Sequence, residues 1–303
     1  MMTPAGFAQR LFGSLVRDPV KTGGTVWFFR RDRIAVTSLV ALTVICASAL
    51  FAPFLTRHPN QGRGEPNIVE RFQAPSQSHP FGTDQLGRDV YARVLFGGRS
   101  SLLSAFAVVI LAAGFGTVMG AVAGFIGGWL DEAIMRATDI FLAFPPLLLA
   151  ITIATVLEPG LKNTVLAISV TWWPWYARIV RGLTLTLRER HFVKAAQVMG
   201  VSRPTIIRRH VLPNILAPVL VQGTLDLGSA ILTVSGLNFL GLGVRPPTAD
   251  WGTMISEGRL FVQSGVWWVA TFPGLAIFVS SLAFNLLGDG IQVAADPRTR
   301  RLS

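Results

Sequence analysis

The sequence predicts an all-α membrane protein with six transmembrane helices, and three observations predict it. Of its 303 residues, 51% are hydrophobic and only 14% charged, too few charges to clothe a soluble globule of this size. Six mainly apolar stretches, at about 34–54, 102–126, 134–157, 164–181, 213–236 and 266–288, approach or reach the roughly 20 residues that cross a bilayer as a helix. With the N-terminus inside, eighteen of the 27 Lys and Arg residues fall on one side, concentrated in Arg10–Arg33, Arg178–Arg209 and Arg298–Arg301. Loops retained in the cytoplasm accumulate such residues. Both termini and the loop 182–213 are therefore expected to be cytoplasmic, and the net charge of +11 calls for a lipid bilayer and no nucleic-acid partner.

Taken in order, the basic tail 1–33 leads into a first span that lies too far from the N-terminus for an ordinary signal peptide and has no small-residue cleavage site after it. It is expected to be a retained helix. The single cysteine, Cys46, sits mid-span, so an internal disulfide and cysteine-based metal sites are excluded. The loop after it is rich in Pro, Gly and Gln until "HPFGTDQLGRDVYARVLFGGRSS". There Thr83 is placed to cap a short surface helix, with Asp84 four residues before Arg88 and Asp89 four before Arg93 on one exposed face.

Span two carries Gly116, Gly120, Gly124 and Gly128 at a spacing of four, a face without side chains that lets a neighbouring helix approach closely; it reads as packing or as a moving pore wall. Span three contains Pro145 and Pro146, which remove backbone donors and predict a kink near mid-membrane, one candidate gate. Arg136 and Asp139 near its end are spaced to pair. After span five, "NFLGLGVRPPTADWGTMISEGRLFVQSG" (238–265) holds Pro246, Pro247 and several glycines, which forbid a continuous helix and suggest a re-entrant or interfacial cap.

The energy source is narrowed by what is missing. An ion-coupled carrier usually buries several ionisable groups or shows an inverted repeat, whereas the deep acidic residues here reduce to Asp226, read either as a structural hydrogen-bond acceptor or as facing a water-filled cavity. A P-loop needs a lysine after its glycines, and Lys21, Lys162 and Lys194 follow no such pattern. The four histidines, His58, His79, His191 and His210, are spread over both membrane faces, so no metal site is expected. Between spans four and five, "FVKAAQVMGVSRPTIIRRHVLPNI" (192–215) reads as two short helices broken at Gly200, where glycine permits a sharp turn. Phe192, Ala195, Ala196 and Met199 would form a small apolar stripe on the first, and Ser202 would cap the second. That is a docking element; the plainer alternative is a linker lying on the lipid surface.

Here the chain resembles a family, the permease subunits of bacterial ABC importers, and within it the C-type subunit of dipeptide, oligopeptide and nickel importers. "KAAQVMGVSRPTIIRRHVLP" (194–213) is similar to the family's E-A-A…G…I/V-L-P signature, through Ala195, Ala196, Gly200, Val211, Leu212 and Pro213, with Lys194 where many members have glutamate. "FGTDQLGRDVYARVLFGGRSSL" (81–102), "IMRATDIFLAFPPLLLAI" (134–151), "FLGLGVRPPTADWGTM" (239–254) and "FPGLAIFVSSLAFNLLGDG" (272–290) look like further family hallmarks, in order; Gln292 and Val293 replace a usual Arg-Asp pair. The resemblance implies an N-terminal helix and external loop (34–101), a five-helix type I importer core (102–290) with a coupling loop (182–213), and a C-terminal tail (291–303).

It further implies a bacterial inner-membrane protein without catalytic residues, acting with a homologous B-type permease, two ATP-binding subunits that hold ATP and Mg, and an extracytoplasmic substrate-binding protein. Residues 194–213 would dock on an ATPase, and Asp84, Arg88, Asp89, Pro246, Pro247 and Trp251 would form the external cap that meets the binding protein. Pro145, Pro146 and Asp226 would belong to the pathway or gate. Short peptides are the expected cargo; nickel or a metal chelate, glutathione or another small amide compound is the alternative, and an ion-coupled carrier a more distant one.

Overall fold

The computed structural model describes residues 32–295, so the tail 1–31 and residues 296–303 lie outside the described residues. All regular structure among the described residues is helical: α1 (Arg33–Leu50), α2 (Val90–Ile126), α3 (Gly128–Leu142), α4 (Pro146–Val156), α5 (Leu161–Arg188), α6 (His191–Val198), α7 (Leu212–Phe239), α8 (Trp251–Gly258) and α9 (Trp268–Ala295), joined by shorter turns. Four of the helical segments, α1, α2, Arg203–Phe239 and α9, are long and apolar enough to cross a membrane, and the bent pair α3–α4 makes a fifth crossing if taken as one. With α5, 28 residues long but bearing Lys162, Arg178, Arg181 and Arg188 near its ends, these are the six expected helices. Large apolar side chains face outward along them, among them Val40, Val44, Leu103, Ile110, Leu220 and Phe278, as lipid contact requires.

The molecule has two ends. At one, the cap end, the segment 55–89 and the segment 240–267 cover the start of α2; at the other, the loop end, lie α6 and the start of α7. The core between them is built on α2 against α5, the most extensive helix contact among the described residues. A Cβ on Gly116 would lie 2.5 Å from Trp173 O, one on Gly120 2.4 Å from Ala177 O, and one on Gly124 2.8 Å from Arg181 O. The bare face is thus a packing surface on which backbone meets backbone. Gly128 departs from the expected stripe: it sits past the helix end with φ +64° and nothing within 4 Å, and with Gly127 (φ +71°) it turns the chain into α3. At the far side of the bundle α1 closes on α9, Ala35 Cβ approaching to 2.4 Å from where a Cβ on Gly290 would stand, with Asp32 capping α1 through Ile34 N at 2.9 Å and Ala35 N at 3.2 Å.

Three expectations of local structure are corrected. The surface helix after Thr83 does not form. Asp84 instead accepts from Leu86 N at 2.8 Å and Arg88 N at 3.0 Å, Gly82 and Gly87 take positive φ, and the Thr83 hydroxyl donates to Glu70 O at 2.5 Å. Side-chain bonding of this kind competes with helix, so the helix starts at Asp89, whose carboxylate accepts from Ala92 N at 2.6 Å, and runs unbroken into the expected second span. Span three is broken rather than kinked, α3 and α4 meeting at 89°, because Pro145 adopts an extended ψ of 122° and the next helix must restart at Pro146, which needs no donor at that position. Arg136 pairs with Glu132 at 3.1 Å, while Asp139 pairs with Arg178 of α5.

Candidate functional site: a cavity, a cap and a loop

The cavity lies where α4 leaves α3, facing α5 and α7. It measures about 420 Å³ and is lined by Leu142, Pro146, Leu147, Thr171, Trp172, Trp175, Tyr176, Asp226, Ser229 and Thr233, a volume in the range of small-ligand sites. Of the sequence-picked pathway residues, Pro146 and Asp226 share this wall; Pro145 is at the break itself. Asp226 accepts from Tyr176 Oη at 2.5 Å and from Gln222 Nε2 at 3.0 Å. The two readings of Asp226 are therefore not exclusive: it is hydrogen-bonded and lines a cavity. Tyr176, fifty residues away in sequence and buried against α2, has no spacing signal that would have revealed it.

At the cap, four charges share one buried cluster. Asp84 Oδ2 accepts from Arg88 Nε and Arg93 Nη1, both at 2.7 Å, and Glu257 Oε2 accepts from Arg88 Nη2 at 2.9 Å and Arg93 Nη1 at 2.7 Å. Asp84, Arg88 and Arg93 are at most 1% exposed. Asp89 does not pair with Arg93; it meets His79 Nδ1 at 2.7 Å. Trp251 is buried too, its indole donating to Val94 O at 2.9 Å and its ring lying over Gly97 and Gly98. The expected cap set therefore divides. Pro246 and Pro247 are exposed, whereas Asp84, Arg88, Asp89 and Trp251 turn inward and cannot present side chains to another protein; they hold together the scaffold beneath the surface that could.

Asp250 completes that scaffold. It caps α8 through Gly252 N at 2.9 Å and Thr253 N at 3.3 Å and accepts from Ser101 Oγ at 2.5 Å. Burial pushes its carboxyl above the usual carboxylate range, against the pull of these hydrogen bonds. The histidines are less scattered than the sequence suggests: His58 stacks on His79 at 4.7 Å, and ligand atoms of His58, His79 and Asp89 lie within 4.8 Å of one another. Both ring nitrogens of His79 already face carboxylates, Asp89 at 2.7 Å and Glu70 at 3.3 Å, so the group fits a buried hydrogen-bonded histidine better than an ion's ligand set.

At the loop end, α6 closes with Val201 N bonded to Ala196 O at 3.1 Å and Gly200 N to Gln197 O at 3.0 Å, a Schellman closure with Gly200 at φ +76°. The expected apolar stripe splits between two faces. Val193 and Ala196 are buried against Ile206, Val211 and Ile215 and the helices above them. Phe192, Val198 and Met199 stay exposed, the last two at 89% and 74%, with Ala195 and Pro213 exposed as well. Ser202 forms no side-chain cap, and a π turn, Ile207–Val211, carries the chain into α7 where Pro213 would clash with a regular helical turn. Lys194 pairs with Glu189 at 2.9 Å; that hydrogen bond holds the exposed Glu189 carboxyl below its ordinary range.

Comparison with known proteins places this architecture. Residues 116–301 match the family described as binding-protein-dependent transport system inner membrane component, and residues 24–75 match the N-terminal TM domain of oligopeptide transport permease C. The chain is 43% identical to the dipeptide transport system permease protein DppC of Alkalihalophilus pseudofirmus, over 89% of its own length and 88% of that protein's. It is 41% identical to the probable D,D-dipeptide transport system permease protein DdpC of Escherichia coli K12, over 90% of both chains. With the glutathione transport system permease protein GsiD of Escherichia coli O6:K15:H31 it shares 39% identity, over 90% and 89%. A chain of the MetNI methionine ABC transporter in an inward-facing conformation aligns at a TM-score of 0.48 and 17% identity, over 64% of this chain and 94% of that one. The chain thus belongs to the inner-membrane permease components of binding-protein-dependent ABC transport systems, as a multi-pass, all-helical subunit.

Proposed function

We propose that this permease imports short peptides, pairs with a second, homologous permease, and is driven by two ATP-binding subunits that hold ATP and Mg. The observation that carries the mechanical half of this reading is the ledge at the loop end. Phe192, Val198 and Met199 expose apolar side chains on a short helix anchored from beneath by Val193 and Ala196, the form of a surface that engages a groove in a partner. The peptide half rests on likeness to the dipeptide permeases, and the glutathione permease falls in the same chemical class.

In this reading the loop end is cytoplasmic, along with both termini, and the exposed Pro246 and Pro247 at the cap end face the extracytoplasmic binding protein. The permease contributes no catalytic residue. ATP-driven closure of the ATPase pair stabilises one of two arrangements of the helices over the other, and substrate access alternates with it. The break between α3 and α4 is a place where such a change can occur, since Pro145 and Pro146 leave no continuous ladder of backbone hydrogen bonds across it.

The test is co-purification of the tagged permease from native membranes, followed by uptake in proteoliposomes. Met199→Asp or Val198→Asp is expected to leave the two permeases together while reducing recovered ATPase at least about tenfold, because a charge in the core of a docking patch is desolvated without a partner. ATPase recovery and uptake equal to wild type in both variants would remove the ledge from the mechanism. Ala196→Arg, by contrast, should lower the yield of folded permease itself, since Ala196 is 2% exposed.

A further inference from the structure

The cavity carries one carboxyl side chain, Asp226, and the groups around it bear on what that carboxyl can bind. The inference rests on the peptide reading above. Asp226 sits on a wall that otherwise consists of aliphatic and aromatic side chains and hydroxyls, and no lysine or arginine lines the cavity among the described residues. A carboxylate this deep in a membrane protein is costly and needs donors or a cation. Tyr176 Oη and Gln222 Nε2 supply one hydrogen bond to each oxygen, which fixes the carboxylate plane and uses about half of its roughly four acceptor positions. Asp226 also lines a cavity of about 420 Å³, large enough for a small ligand.

The neighbours favour a cation in that space. Trp172 and Trp175 line the same cavity, and tryptophan is the best of the aromatic rings at attracting an ammonium group to its face. Ser229 and Thr233 add hydroxyls. An anionic group would meet the Asp226 carboxylate with nothing to offset it, and a divalent ion would find a single carboxylate where it needs several ligands. We propose that the protonated amino terminus of a short peptide binds here, with Asp226 as its counter-ion, Trp172 and Trp175 alongside it, and Tyr176 and Gln222 as positioning residues. Specificity for a free amino terminus would then be exercised within the membrane subunit.

The complex of the tagged permease with its permease and ATPase partners, in lipid nanodiscs and without binding protein, provides the assay. Saturation-transfer NMR would measure binding of dialanine and of N-acetyl-dialanine, which lacks the ammonium. Wild type is expected to prefer dialanine about tenfold, the scale of one charge-assisted contact. Asp226→Asn should remove the preference by weakening dialanine alone, Asp226→Glu should restore part of it, and Tyr176→Phe should reduce it. Equal binding of the two ligands by wild type, no binding of either, or a preference that survives Asp226→Asn would overturn the inference and leave the carboxylate as a contact to the partner permease or a packing element. Dialanine uptake by the complete importer reports separately on the reading beneath: failure to import dialanine or any other peptide would sink peptide transport itself.

Discussion

Asp84→Ala is expected to destabilise the permease by about 3–5 kcal/mol, the usual cost of leaving buried charges uncompensated. Asp84 and Glu257 balance Arg88 and Arg93 in one cluster, and three of the four are sealed from solvent. Removing Asp84 leaves two guanidinium groups to share one carboxylate and deletes the two backbone hydrogen bonds that shape the turn before α2. Tryptophan-fluorescence melting in detergent should register a large drop in Tm, with reduced recovery of monodisperse protein. Glu257→Gln should cost less, since Glu257 is 17% exposed and water can approach what remains. Arg136→Ala, which breaks an ion pair whose partners are 75% and 68% exposed, is the control and should shift stability by no more than about 0.5 kcal/mol. A melt for Asp84→Ala indistinguishable from wild type would mean that the cluster does not hold the cap.

Gly120→Leu should be equally severe, through packing rather than charge. Overpacking a core typically costs about 1–3 kcal/mol, but those values describe side chains that can shift. Here the obstacle is the Ala177 carbonyl, 2.4 Å from the added Cβ, with Val180 Cβ at 2.9 Å, so the two helices must separate along their whole contact. The expected cost exceeds about 3 kcal/mol, read as loss of monodisperse protein on size exclusion. Gly114→Leu on the same helix meets nothing within 4 Å and should behave as wild type. Similar profiles for the two variants would show that the glycine face is not a contact surface.

What the sequence disclosed depended on whether the signal was local. Long apolar runs announced the spanning helices, and the prolines at 145 and 146 announced a kink where the chain instead breaks at 89°, an angle that depends on how α4 packs on α5. The glycine stripe was visible, but its last member was misread because spacing alone cannot tell that the helix stops at Ile126. Local spacing also misled at the cap: Asp89 and Arg93 are four apart, yet Arg93 reaches Glu257, 164 residues away, and Asp89 reaches His79. Likewise the loop sequence marked Ala195 and Ala196 as small, while only the packing of Ile206 and Val211 decides that Ala196 points in and Ala195 out. Asp226 stood out as a lone deep acid; its partner Tyr176, on another helix, could not.

The backbone contact between α2 and α5 also has a mechanical meaning. Helices separated by flexible side chains can slide by exchanging rotamers, whereas helices whose glycines rest on opposing carbonyls have no such slack. The pair therefore behaves as a strut, and with 28 residues α5 alone runs about 42 Å at 1.5 Å per residue. Its Arg188 end adjoins α6 and its Leu161 end lies near the cap, where Thr164 bonds Leu242 O at 3.1 Å. If the ledge is the docking surface proposed above, a pull on it would be carried along this beam to the opposite surface, leaving the compliance of the molecule to the joints on either side of it.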